Sequence, residues 1–328
     1  MRWPTWREAM HDALYGHPDG FFRRERPADH FRTSVHASDQ FAQALVQLAA
    51  DAGLSRVVDV GAGSGEMLRQ IDSLTNLELT GIEMAPRPRD LPGHIAWLDE
   101  LPTSLDAALV VANEFLDNVP IDVAVIGGDG TPRRVHVNPA TGEEATGEPV
   151  TGDDAAWLDR WWPTGPGEPG ARVEIGRMRD SAWADVTRRA HASVCVAVDY
   201  YHERDDRPPF GTLSAYQHGR DVALIPDRTR DITAHVALDA VAAAGEDAGA
   251  TATVLTTQRA MLRTLGVSAQ LPPRSLATSD PAAYAVALTH ASEAAELLAT
   301  SGLGGFGWLI QAVGRELPDC VLAPAAEP

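Results

Sequence analysis

The sequence predicts an α/β protein built on a mostly parallel, Rossmann-like sheet, and three observations lead there. Apolar runs of strand length alternate with amphipathic segments of helix length between residues 55 and 113. One junction, VVDVGAGSGEMLRQI, reads as strand, glycine-rich turn and helix. Two further apolar runs, LELTGIE and AALVVAN, stop abruptly in acids or polar residues, as strands do when their C-terminal ends face a ligand.

Taken in order, residues 3–15 and 38–52 carry apolar residues at helical spacing, with Phe41, Ala44, Leu45 and Leu48 on one face. A polar loop around HFRTSVHAS lies between them. Next come strand RVVDV, a helix from about Glu66, strand LELTGIE, a short strand near HIAWL, a stretch of helix length, and strand AALVVAN. After Pro120, the alternation in DVAVIGGDGTPRRVHV predicts a β-hairpin around GGDG. Residues 138–170 are rich in Gly, Pro and acid and read as a loop or lid, anchored by Trp157, Trp161 and Trp162. Helical spacing resumes in SAWADVTRRAHA, followed by strand VCVAVDYY, a long polar loop and a helix from DITAHVALDAVAAAGEDAG. Strand ATATVLT, a helix in QRAMLRTLG and strand GWLIQAV close the pattern, and the final APAAEP reads as disordered.

Composition removes several functions. With 328 residues, 44% of them hydrophobic, the chain can bury a large core. Its formal charge of −19 and the lack of a basic stripe argue against nucleic acid and favour a cationic substrate or partner. All 27 positive side chains are arginine, so P-loop and Schiff-base lysine chemistry is excluded. Two cysteines make no disulfide framework, Cys195 reads as a packed thiol, and the histidines show no metal-ligand spacing. No apolar run approaches the roughly 20 residues of a membrane span and no secretory signal is visible, so a cytoplasmic location is expected.

The glycine turn is the first candidate binding site. Gly61, Ala62, Gly63 and Gly65 follow a GxGxG spacing, distinct from the GxGxxG of dinucleotide enzymes, and would aim amides at a ligand. Glu83 and Met84 end the second strand, and Glu83 follows Asp59 by 24 residues, close to the offset of about 20 at which an acid meets a ribose diol. Asp99, at the end of the third strand, is placed to accept from an adenine amine. Together these features resemble the class I S-adenosylmethionine-dependent methyltransferases.

Longer motifs resemble the MidA-like family, which includes the mitochondrial complex I assembly factor that methylates an arginine on a partner subunit. They run collinearly over residues 8–315: YGHPDGFF with HFRTSVHASDQFAQAL, ANEFLDNVPIDV, VAVDYY, GTLSAYQHGR, RDITAHV, TTQRAMLRTLG and GLGGFGWLIQAVG. The resemblance implies a sheet whose last strand is antiparallel, an N-terminal helical cap over 1–54, a methyltransferase domain over 55–328, and an insertion after the fourth strand at about 121–172. It also implies S-adenosyl-L-methionine as cofactor and an arginine-bearing protein as acceptor. Asp199-Tyr200-Tyr201 and His235-Val236-Ala237-Leu238-Asp239 depart from the family pattern, where a DYG turn and an earlier aspartate are more usual. An altered acceptor would fit those departures.

Methyl transfer is an in-line displacement in which positioning dominates, and the end of the fourth strand, VVANEFLDN, faces that chemistry in this fold. Asn113 is assigned to the cofactor; Glu114 and Asp117 are candidates to pair with a guanidinium. A helix-capping role for Asn113 or Asp117 is the competing reading. Thr33 and Ser34 are expected to close over the cofactor, and His235 to accept a proton. Asp231 and Thr233, with Tyr216 and Arg220 in a preceding loop, are expected to contact the acceptor, Asp231 alternatively capping a helix. Two other activities suit the sequence: methylation of a small molecule enclosed by the Trp-bearing insertion, and a non-catalytic assembly role.

Overall fold

The structure is a computed structural model and describes residues 3–16, 18–24, 33–163 and 168–323. His17, His30, Phe31 and Arg32 of the family motifs, and all of the predicted disordered tail beyond Ala323, lie outside the described residues. The chain divides into two compact units, each assembled from three segments: Arg32–Asn113, Arg189–Val198 and Thr251–Pro328 in one, and Met1–Phe31, Glu114–Arg188 and Asp199–Ala250 in the other.

The first unit holds a seven-stranded sheet. Its strands are β1 (Arg56–Val60), β2 (Glu78–Ile82), β3 (Ala96–Leu98), β4 (Leu109–Asn113), β5 (Ser193–Asp199, its last residue counted with the other unit), β6 (Ala252–Thr257) and β7 (Gly307–Val313), in the order β6-β7-β5-β4-β1-β2-β3. Parallel pairing aligns Asp59 with Gly81 and Val111, and Val198 with Asn113. The last strand, β7, is antiparallel to the edge strand β6. Valine-rich β1, β4 and β5 are buried along nearly their whole length, which is why they read as continuous apolar runs and not as alternation. Helix Glu66–Leu74 turns Met67, Leu68 and Ile71 inward, and Cys195 is a fully buried thiol of β5.

In the second unit, a four-stranded antiparallel sheet contains the expected hairpin, with Asp122–Ile126 paired to Pro132–Val137. Helix Trp6–Tyr15 begins at a complete capping box, Thr5 with Glu8, and packs Trp6 and Ala9 with Val123, Val135 and Val137. Residues 1–54, expected to form one cap, are thus divided between the units: Trp6–Tyr15 falls in the second, Gln40–Asp51 in the first.

Four local expectations are corrected. Residues 138–170 contain a strand, Glu144–Pro149, and a helix, Gly152–Trp161. Trp157 and Leu158 are buried there with Trp162 against Val173 and Ile175, so the tryptophans do serve as anchors. The stretch between β3 and β4 forms no helix, only bends and the two-residue strand Leu105–Asp106. Asp231–Thr233 is a strand paired to Ser214–Gln217, and the helix starts only at Leu238. Tyr216 and Arg220 belong to the antiparallel pair Ser214–Gln217 and Arg220–Val222, where Gln217 faces Arg220, and not to an irregular loop.

Trp157 donates its indole N–H to the Asp180 carboxylate at 2.6 Å. Burial, ahead of the repulsion from Asp239, pushes this carboxyl up to about 7. The folded chain therefore holds the proton more tightly than the unfolded one, and that stabilisation is lost as pH rises through about 7. Asp180→Asn keeps an acceptor for Trp157 and removes the ionisable group. Its stability relative to the native chain is expected to improve by about 2–4 kcal/mol between about pH 4 and about pH 7, then to level off. Urea midpoints across that range would check this.

Candidate functional site

The glycine turn sits at the C-terminal end of β1. Gly61, Gly63 and Gly65 have φ of 77°, 55° and 78°, a left-handed repeat that other residues adopt only at a cost of roughly 1 kcal/mol or more each. Gly61 and Ala62 both donate their amides to the Ile82 carbonyl, at 2.9 and 3.2 Å, Gly63 donates to Glu83 and Gly65 to the Ala62 carbonyl, so these amides, expected to point at a ligand, instead bind the turn to itself and to the end of β2. Gly65 is also needed for space. A Cβ there would stand 2.9 Å from Leu91 and 3.4 Å from the Trp97 ring.

Glu83 follows β2 directly. One carboxylate oxygen accepts from the Gly63 amide at 3.1 Å and the other from the Ala85 amide at 3.0 Å. These bonds fix the carboxylate plane and leave each oxygen a further lone pair. Burial raises the Glu83 carboxyl above its usual range, against the lowering effect of those amides. Asp59 on β1 is 4% exposed, and burial, then the nearby Glu83 and Glu66, push its carboxyl well up. The cradle thus suits S-adenosylmethionine: a side-chain-free backbone turn for close approach, and a rigid carboxylate with acceptor capacity for a diol.

The remaining cofactor candidates are distributed more widely. Met84 is exposed beside Glu83, and Asp99 is exposed just past β3, whose Leu98 carbonyl accepts from the Glu83 amide at 2.8 Å. Thr33 precedes helix Ser34–Ala37, its hydroxyl 2.7 Å from His36 Nδ1. Ser34 is buried and its hydroxyl is 3.2 Å from Gln258 Oε1, so it ties two segments of this unit together. Asn113 ends β4 opposite Val198.

The second unit carries the acceptor-side candidates, beginning with Glu114 immediately after β4. Glu114 has φ of 50°, uncommon for a residue with a Cβ and a frequent mark of functional sites. Beyond it, Leu116–Asn118 makes one short 3-10 turn. Asp117 caps no helix: its Oδ2 accepts from the Thr233 hydroxyl at 2.6 Å. Asp231 likewise caps nothing, and its Oδ1 accepts from the Asn118 side-chain Nδ2 at 2.9 Å. Thr233 and Asp231 therefore bind the turn from an adjacent strand.

Two residues missing from the sequence-derived set complete this cluster. Asp199, the last residue of β5 and 1% exposed, accepts at Oδ2 from the Leu116 and Asp117 amides, at 2.9 and 3.2 Å. Arg179, 2% exposed, donates to the carbonyls of Val119 at 3.1 Å, Ala234 at 2.9 Å, His235 at 2.8 Å and Asp117. Burial raises the carboxyls of Asp117, Asp199 and Asp231, the last two well above the ordinary range with Asp117 adding repulsion. The aspartate in VAVDYY was visible as an acid ending an apolar run; nothing in RMRD marked Arg179 as buried.

Tyr200 and His235 stack with ring centroids 5.5 Å apart and planes 23° apart. Desolvation, then the Glu114 and Asp117 charges, raise the Tyr200 hydroxyl, keeping it protonated. Desolvation, then Arg179, lower the His235 imidazole, favouring its neutral form. His235 is exposed, Tyr216 half-buried and Arg220 exposed at the hairpin turn. Among the described residues, no group of three or more His, Cys, Asp or Glu is arranged to hold a metal, and no helix is long and apolar enough to cross a membrane.

Known proteins share this architecture. The model of a family described as "Putative S-adenosyl-L-methionine-dependent methyltransferase" matches residues 38–256. A Burkholderia thailandensis protein solved with S-adenosyl-homocysteine bound has a TM-score of 0.81 at 23% identity, over 99% of this chain and 92% of that one. A second structure from the same organism, in native form, has a TM-score of 0.77 at 22% identity, again over 99% and 92%. At such identities the likeness establishes the fold. Comparison with curated proteins finds no match. The family match takes in helix Gln40–Asp51, the glycine turn, the turn after β4 and nearly all of β6, well over half of the chain, and the protein therefore belongs to this family of S-adenosyl-L-methionine-dependent methyltransferases.

Proposed function

We propose that the enzyme N-methylates an arginine side chain of a partner protein, with Glu114 as the acceptor-binding carboxylate. The observation that carries this reading is Glu114 itself, held in a left-handed conformation directly after β4. After desolvation, its charge is the next largest influence that raises the Tyr200 phenol, followed by that of Asp117. Such surroundings favour a cation. A carboxylate pairs bidentately with a guanidinium, and concentrating the positive charge on the paired nitrogens leaves the third more nucleophilic.

When bound, S-adenosylmethionine supplies an electrophilic methyl group on a sulfonium. Gly61, Ala62, Gly63 and Gly65 would accept it by close backbone approach, Glu83 by taking the ribose hydroxyls, with Met84, Asp99, Asn113, Thr33 and Ser34 as further contacts. Glu114 orients the acceptor nitrogen, and Asp117 adds negative potential from behind. As the new N–C bond forms at the expense of the sulfonium's S–CH3 bond, leaving a neutral thioether, the acceptor nitrogen would give up a proton, and neutral His235 is able to take it and pass it to solvent. Tyr216 and Arg220 would line the approach of the acceptor, while Asp231 and Thr233 brace the turn.

The experiment is label transfer. Incubating the enzyme and methyl-labelled S-adenosylmethionine with a cell lysate is expected to place label on protein, recovered after hydrolysis as methylarginine. Label confined to small molecules would reject the protein acceptor, and label on another residue would reject arginine. In the same preparation, Glu83→Ala is expected to weaken S-adenosylmethionine binding about 10- to 100-fold by calorimetry, through the loss of hydrogen bonds to a charged group; unchanged affinity would remove Glu83 from the site.

A further inference from the structure

Glu114 has an expensive backbone conformation, and the turn after it supplies what holds it there. Leu116 and Asp117 would otherwise present buried amides without partners. Asp199 takes both with one carboxylate oxygen, at 2.9 and 3.2 Å, from a position 83 and 82 residues away in sequence. The turn's carbonyls are met as well: Arg179 takes those of Asp117 and Val119. The same guanidinium reaches the carbonyls of Ala234 and His235. One buried side chain therefore connects the turn that follows Glu114 to the residue proposed to accept the proton.

The charge balance points the same way. Among the described residues, the hydrogen bonds of Arg179 go to main-chain carbonyls, yet Asp117 and Asp199 are the two largest favourable charges upon it. Asp117 Oδ1 and Asp199 Oδ1 are buried and have no hydrogen-bond partner among the described residues. A fold needing only a sealed core would meet apolar residues here at less desolvation cost. A fixed dipolar frame around a reactive carboxylate does need them.

We propose that Asp199 and Arg179 are positioning residues that set the conformation of Glu114, Asp199 by holding the amides of the turn and Arg179 by holding its carbonyls together with that of His235. This rests on the reading of Glu114 given above. Neither residue touches the acceptor; both act through the main chain.

A double-mutant cycle tests it, using the initial rate of label transfer to lysate protein, with S-adenosylmethionine affinity measured alongside. Asp199→Leu is expected to slow transfer about 100-fold with cofactor affinity within about threefold, whereas Asp199→Asn, which keeps an acceptor oxygen for both amides, is expected to restore the rate to within about tenfold of native. Adding Asp199→Leu to Glu114→Gln should slow the enzyme little beyond Glu114→Gln alone, because both act at one point. Should Asp199→Leu fail to fold, Arg179→Lys replaces it in the cycle: a single ammonium keeps the charge but cannot span four carbonyls, and a loss of about tenfold that vanishes in the Glu114→Gln background is expected. If the effects multiply, or if the positioning variant transfers at the native rate while Glu114→Gln is impaired, the proposal is overturned. If Glu114→Gln itself is fully active, the reading of Glu114 falls first, and the proposal with it.

Discussion

Arg179→Met is expected to lower the unfolding free energy by about 3–5 kcal/mol, the usual cost of removing one member of a buried charged group. Methionine fills a similar length but donates nothing. Four carbonyls, of Asp117, Val119, Ala234 and His235, lose a donor together. Asp117 and Asp199 lose the cation that opposes the burial-driven rise of their carboxyls, and both would bind protons more readily. The destabilisation should therefore grow as pH rises and those groups are forced to ionise. Urea unfolding followed by tryptophan fluorescence at two pH values would measure it; a midpoint unchanged from the native chain would show that the guanidinium is replaceable.

Glu114→Gln is expected to reduce kcat by about 100-fold or more while leaving S-adenosylmethionine affinity within about twofold. Glutamine keeps the size and one acceptor oxygen but cannot complete a paired, charge-assisted contact, worth about 1.5–3 kcal/mol. Loss of orientation at the reacting nitrogen adds to that. The strained φ of Glu114 is a main-chain property, so the substitution should hardly alter stability. An equal fall in kcat and in thermal stability would instead mark Glu114 as a structural residue.

The sheet was legible because burial and pairing write themselves into the sequence locally. The valines of RVVDV and AALVVAN, and the three glycines between β1 and its helix, each answer to a requirement met within a few residues. Glu83 was legible for the same reason, as an acid closing a buried strand. Helix Gly152–Trp161 was misread because glycine and proline around it suggested a loop. Its own signals, Asp153 and Asp154 in the first turn and Arg160 in the last, were present but outweighed. The start of DITAHV was misread as helix because the alanine-rich run after it is helical, while strand pairing to Ser214–Gln217 depends on residues elsewhere. Asp199 was visible as an acid ending an apolar run, but its partners, like Arg179 itself, lay beyond reach. The partners of both are 55 to 83 residues away, and no local spacing encodes such contacts.

The division of each unit into three separated segments also bears on how the chain is made. During synthesis β1, β2 and β3 emerge first, and β4 can join them at once. Strand β5, buried along its whole length in the finished sheet, arrives some eighty residues later, and the neighbour on its other side is β7, Gly307–Val313, later still. Until Gly307–Val313 has emerged from the ribosome, an apolar strand of seven residues has one bare edge. Non-local pairing of this kind folds slowly and leaves the nascent chain open to aggregation. Chains truncated before residue 307 should accordingly need a chaperone to stay in solution, whereas a chain that includes Gly307–Val313 closes that edge with this strand.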